Sequence, residues 1–143
     1  MKLLSPYLIA IVLGWLFAHA IKYVIAVAQN RQLDFTHQLF ISGGMPSSHA
    51  STSLAAWTVI LMRDGVDSGL FGLATLVVLI VCYDAVKVRR SVGEQGEAIA
   101  ELIKNTKNYI ALPRAAKGHT PLELTVGALL GIAIGYVVFL ATK

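Results

Sequence analysis

Apolar residues along this chain gather into long runs separated by short polar stretches. Pro6 to Gln29 and Ser68 to Val88 are each long enough to cross the ~30 Å hydrocarbon core of a bilayer, which takes about 20 helical residues. Leu122 to Thr142 is a third such run. It carries Gly127, Gly131 and Gly135 one helical turn apart, a spacing that forms a close helix-packing face and calls for no chemistry. Ser47 to Met62 is shorter, richer in Ser and Thr, and ends at Arg63-Asp64-Gly65. It reads as a fourth span buried by its neighbours, with a re-entrant helix as the alternative. Arg63, like His37, reads as an ordinary loop residue. The remaining long piece, Ser91 to Gly118, is polar. Within it Ile99, Leu102, Ile103, Thr106 and Ile110 fall near one helical face, and Glu94, Glu97, Glu101, Lys104 and Lys107 fall largely elsewhere. That pattern predicts an amphipathic helix at the membrane interface, ended by Leu112-Pro113. The expected architecture is all-α: a polytopic membrane helix bundle of about four transmembrane helices plus one interfacial amphipathic helix, in a single domain spanning residues 1–143.

Composition agrees with the pattern. Hydrophobic residues make up 56% of the 143 and charged residues 14%, against roughly 25% charged in a soluble globule. The first apolar run is too long for a cleaved signal peptide and no small-residue cleavage site closes it, so it is expected to remain as a span. The single cysteine, Cys82, lies inside an apolar run, so an intrachain disulfide or a cysteine metal site is excluded. No metal ligand set and no cofactor are expected. Twelve Lys and Arg against eight Asp and Glu is a modest excess that concerns orientation and anionic lipids, not nucleic acid. With four spans, the 89–118 segment holds six basic residues and three glutamates, while Lys2, Arg63, Asp64, Asp67 and Lys143 lie on the opposite side. The basic excess points the 89–118 face to the cytoplasm, with both termini outside. Four short spans enclose little surface, and a homodimer is compatible with that.

Alternating spans bring the polar residues to one membrane face. His19 and Lys22 lie in the later half of the first span, and Trp15 shares their helical face. His49 opens the second span. Asp84, Lys87, Arg89 and Arg90 close the third, and Gly118, His119 and Glu123 open the last. Ionisable residues inside a membrane are costly and read by default as functional. This set suits phosphate chemistry. Ser47 and Ser48 follow Pro46 at a helix start, where free backbone N–H groups and the helix dipole favour an anion, and Gly43 and Gly44 permit close approach. Lys22, Arg89 and Arg90 supply positive charge, and arginine forks onto phosphate oxygens. His49 and His119 can divide the work of nucleophile and general acid. Glu123, one turn after His119, is placed to accept a hydrogen bond from its ring and fix the tautomer. Asp84 is placed to pair with Lys22 or Arg89 and limit the charge of an empty site, and His19 to support the site from behind.

Three stretches carry a resemblance: SGGMPSSHAS at 42–51, YDAVKVRRSVGEQ at 83–95 and GHTPLELTVG at 118–127, together with Trp15 and Lys22. The chain resembles the divergent PAP2 family, small membrane proteins related to the type 2 phosphatidic acid phosphatases and vanadium haloperoxidases. Pro46-Ser47-Ser48-His49 is similar to the superfamily's PSGH motif, with Ser48 where glycine usually stands. By that resemblance His49 is the general acid that protonates the leaving oxygen. His119 with Glu123 is similar to the third motif, with Glu replacing Asp, which makes His119 the nucleophile that forms a phosphohistidine. Arg114 precedes His119 by five residues where the superfamily has six, Lys87 stands where glycine is expected, and Lys22 and Arg31 are too far apart for the first motif, whose work falls to Arg89 and Arg90. The resemblance implies metal-independent hydrolysis of a lipid-linked phosphate, a phospholipid or polyprenyl phosphate, and the charge count puts that site on the cytoplasmic side. A non-catalytic lipid-phosphate binder or transporter that keeps the anion site is the alternative.

Overall fold

The computed structural model describes residues 5–29, 44–105 and 118–143. Among these residues every regular element is helical: α1 (Pro6–Ala28), α2 (Ser48–Asp64), α3 (Gly69–Tyr83), a π-helical turn (Asp84–Val88), α4 (Arg89–Asn105) and α5 (Pro121–Ala141). The helix starts follow local chemistry. Pro6 and Pro121 occupy first-turn positions, where a missing N–H costs nothing. Ser47 caps α2 and Ser68 caps α3, each through its side-chain oxygen. Thr120 and Glu123 form a reciprocal capping box on α5.

Three helices are long and apolar enough to cross a membrane: Pro6–Ala28, the continuous stretch Gly69–Asn105, and Pro121–Ala141. The chain is an integral membrane protein of helical architecture. The expected count of four spans is not confirmed, because α2 has only 17 residues and mixed polarity. The reason it can be so polar is its position. α1, α3 and α5 all pack on α2, so its Ser and Thr side chains face protein. Ser51 Oγ donates to the Gly14 carbonyl at 2.9 Å, and Thr58 Oγ1 donates to Leu54 O at 2.8 Å.

The second difference concerns the amphipathic segment. It does not begin afresh at residue 91 but continues α3 through the π turn, so that Gly69–Asn105 is one 37-residue helix. At 1.5 Å per residue that is about 55 Å, well beyond the ~30 Å hydrocarbon thickness, which places α4 outside the hydrocarbon. Ile99 and Leu102 lie exposed along it. Its expected continuation through Thr106, Ile110 and the Leu112-Pro113 break lies outside the described residues, as do His37, Arg31 and Arg114.

The glycine spacing of α5 finds its partner in α2. A Cβ on Gly127, Gly131 or Gly135 would come within 2.4 Å of Ser47 O, 2.4 Å of Ser51 O and 2.5 Å of Ala55 O, respectively. The two glycine and carbonyl series rise together, so α2 and α5 run parallel, with backbone against backbone. α1 runs antiparallel to α2, with Gly14 beside Ser51 and the Tyr7 hydroxyl donating to Asp64 Oδ2 at 2.8 Å. A short turn over 65–68, with Gly65 at φ +80°, reverses the chain into α3. The small apolar core, Ala10, Ala55, Val59 and Val138, sits where α1, α2 and α5 meet.

Arg63 is not the loop residue the sequence suggests. It lies in the last turn of α2, and its guanidinium donates to Thr142 Oγ1 at 2.9 Å and to the Thr142 carbonyl. This ties the far ends of α2 and α5 together, and a cation at a helix C-terminus also suits the dipole.

Candidate functional site

The end of the bundle opposite Arg63 is assembled by main-chain hydrogen bonds among the three sequence stretches. The Ser47 N–H donates to the Glu123 carbonyl at 3.0 Å, joining the start of α2 to the first turn of α5. The His119 N–H donates to the Ala85 carbonyl at 2.9 Å, joining the approach to α5 to the π turn. Gly118 lies flat on the backbone of Arg90, where an added Cβ would be 2.5 Å from the Arg90 nitrogen. The π turn is the element that sequence reasoning missed. A π turn widens the helix by one residue and recurs at functional sites. Here it coincides with the Ala85 carbonyl bond to His119 and sits between Asp84 and Arg89.

His49 and His119 meet edge to face, with ring centroids 6.2 Å apart. Their environments differ. His49 is exposed in the first turn of α2, whereas His119 is only 2% exposed. The His119 Nδ1–H donates to Glu123 Oε2 at 3.3 Å, and the same oxygen accepts the Thr120 N–H at 2.9 Å. The α5 capping box thus also orients the His119 ring and leaves Nε2 with its lone pair free. Burial and the nearby Lys22 cation lower the His119 pKa below its ordinary 6.5, with the Glu123 hydrogen bond opposing, so the ring is neutral at pH 7.

That shift has a sign for stability. The folded chain binds this proton less readily than the unfolded chain, so acidification favours unfolding in the window from about pH 6.5 down to the depressed folded value. The unfolding temperature in detergent is expected to drop across this window and the drop to be shallower in His119→Asn. Identical pH courses for the two proteins would show that the buried neutral ring does not set the dependence.

The cations divide. Lys22 is half-buried in α1, and its charge and that of Arg89 both act on His119. Arg89 is half-buried and its Nε donates to Asp84 Oδ2 at 2.7 Å, which settles Asp84 on Arg89 rather than Lys22. Arg90 points elsewhere: its side chain is exposed and pairs with Glu94 at 3.0 Å, while its backbone supports Gly118. Ser47 is fully buried and its hydroxyl accepts the Ala50 N–H at 3.4 Å, so it acts as the helix cap. Ser48 is also buried. Of the four donors at the α2 start, Ser47 N–H and Ala50 N–H have partners, and those of Ser48 and His49 have none among the described residues. The His19 Nδ1–H donates to the Trp15 carbonyl at 2.9 Å and its ring lies against Trp15.

A groove of about 700 Å³ opens beside this cluster. Its floor is α2, its walls are α1 and α3, and Ser48, His49, His19 and Arg89 line it. His119, which is buried, does not line it. The floor residues Thr52, Ser53, Ala56, Trp57 and Ile60 were also missed in the sequence reading, although they continue from His49 at three- and four-residue spacing, a signal of one helix face.

An uncharacterised membrane protein of Bacillus subtilis (strain 168), YuiD, is 32% identical over 150 residues, with 94% of each chain covered. No solved structure matches. The divergent PAP2 family matches residues 3–134, a stretch that takes in α1, the cluster at the two histidines and the α5 glycines as far as Gly131, and the chain belongs to that family.

Proposed function

We propose that the protein is a phosphatase that hydrolyses a lipid-linked phosphate at the membrane surface through a phosphohistidine, without a metal. The observation that carries this reading is the pairing of a buried, neutral, carboxylate-oriented His119 with an exposed His49 at 6.2 Å, beside Lys22 and Arg89. The phosphate oxygens meet Lys22, Arg89 and the free N–H groups of Ser48 and His49. These are positioned donors for the charge that builds on the transferring phosphoryl group. His119 Nε2 attacks phosphorus while the ester oxygen leaves and takes a proton from the imidazolium form of His49, which becomes neutral. Water then attacks the phosphohistidine, giving its proton to His49, and inorganic phosphate departs. Because the two rings touch, substrate takes its place between them by rotation of the His49 side chain, which its exposure permits. Arg90 is not assigned a phosphate contact, since its exposed side chain pairs with Glu94 and, unlike Arg89, does not line the groove. The basic excess of the 89–118 segment supports a site on the cytoplasmic side.

The test is phosphate release by purified protein in detergent from a panel of phospholipid and polyprenyl phosphates, in excess EDTA. Release that persists in EDTA and is inhibited by vanadate is expected. Absence of release from every member, with vanadate still raising the unfolding temperature, favours the non-catalytic binder, since a ligand that binds only the folded state stabilises it.

A further inference from the structure

The groove has a direction. At one end stand His49, Arg89 and His19, and at the other Ile11, Ile60 and Leu70. From His49 to Ile60 it follows α2 for about 16 Å at 1.5 Å of rise per residue. Its volume of about 700 Å³ falls in the usual range for a ligand cleft. It is one helix face wide, because α1 and α3 both pack on α2 and leave the slot between them. A cleft that is cationic at its mouth and apolar along its length matches a molecule with a phosphate at one end and a single hydrocarbon chain behind it.

We propose that this groove holds one hydrocarbon chain of the lipid, laid along α2 between Trp15 and Val77, with its phosphate at His49 and Arg89. This deepens the phosphatase reading and rests on it for the identity of the headgroup. Two features support this occupant over a second protein helix. The groove opens onto the Arg89 guanidinium and the His49 ring at the start of α2, polar donors that a neutral apolar helix would leave unmatched. Its floor is small at Ala56 and its walls are apolar, which suits a thin flexible chain.

The chain contains two tryptophans, and both Trp15 and Trp57 line the groove. Intrinsic fluorescence therefore reports occupancy without any turnover. The probe is hexadecyl phosphate brominated in the chain, titrated into the full-length protein in detergent. Quenching is expected to saturate, to be reversed by unbrominated hexadecyl phosphate, and to resist hexadecyl trimethylammonium. Ala56→Phe, which fills the floor, and Val77→Phe, which narrows one exposed wall, are each expected to weaken binding about ten-fold or more by removing chain burial. Unchanged unfolding temperatures in at least one of the two show that the loss is not misfolding. Quenching that does not saturate, or that is unchanged in both variants, overturns the groove. The two readings fail separately. Phosphate release with unsaturable quenching leaves the phosphatase and removes the groove. Saturable, phosphate-selective quenching without release keeps the groove and removes the phosphatase.

Discussion

His119→Ala is expected to abolish both steady-state phosphate release and the covalent phosphoenzyme, a loss on the order of 10⁴-fold or more. His49→Ala is expected to lose about 10²–10⁴-fold on an alkyl phosphate, the usual range for a positioned general acid. The two should separate on a substrate whose leaving group needs no proton, such as a nitrophenyl phosphate. There His49→Ala recovers most of its phosphoenzyme formation and His119→Ala recovers none. The division follows from the asymmetry of the rings. His119 is buried, and its Nδ1–H is held by Glu123, which fixes the ring and leaves Nε2 as the nitrogen the proposed nucleophile would use. His49 is exposed and tied to no side chain among the described residues, as suits a group that must exchange protons with water. Equal behaviour of the two variants on both substrates would remove the assignment of roles.

The largest effect on stability is expected at the contact between α2 and α5. Gly131→Ala puts a Cβ 2.4 Å from the Ser51 carbonyl, where both partners are backbone and neither can turn aside. The helices must separate, and overpacking of this kind costs about 3 kcal/mol or more, a large part of the 5–15 kcal/mol that holds a domain together. Gly72→Ala is the matched control. Gly72 is helical, and a Cβ placed on it would meet nothing within 4 Å, so alanine should stabilise α3 by up to about 1 kcal/mol through helix propensity. Unfolding temperatures in one detergent decide it: a fall for Gly131→Ala and no fall for Gly72→Ala. Similar values for the two would mean that α5 does not rest on α2 through its glycines.

Much of the fold was legible because a membrane simplifies the pattern. The runs at 6–29, 68–88 and 122–142 are predominantly apolar, with few ionisable residues, and only helices satisfy their backbone there. The glycine spacing announced a contact, but not that its partner was the carbonyl series of α2. That depends on two helices remote in sequence running parallel. Arg63 was misread because a charge before Asp-Gly looks like the start of a loop, whereas Thr142, its partner, lies 79 residues away. The π turn left no local mark; it sits where the His119 N–H takes the Ala85 carbonyl, a contact that exists only in the folded chain. At the site, residue types and helix ends could be read from alternation of the spans. The burial of His119, the pairing of Arg90 with Glu94 and the groove along α2 could not, since each is set by which faces of the helices meet.

The central place of α2 also orders the making of the protein. α2 is too short and too polar to be at ease in lipid alone, and the surface that shelters it comes in part from α5, which follows the other described helices in the chain. The Ser47 N–H donates to the Glu123 carbonyl, and the His49 ring meets that of His119, so both contacts need α5 and the residues just before it. A nascent chain that has reached α4 therefore has only α1 and α3 to cover α2, without the α5 backbone that packs closest on it. The pairing of the two histidine rings and the main-chain bond from Ser47 to Glu123 therefore form only after α5 has been made.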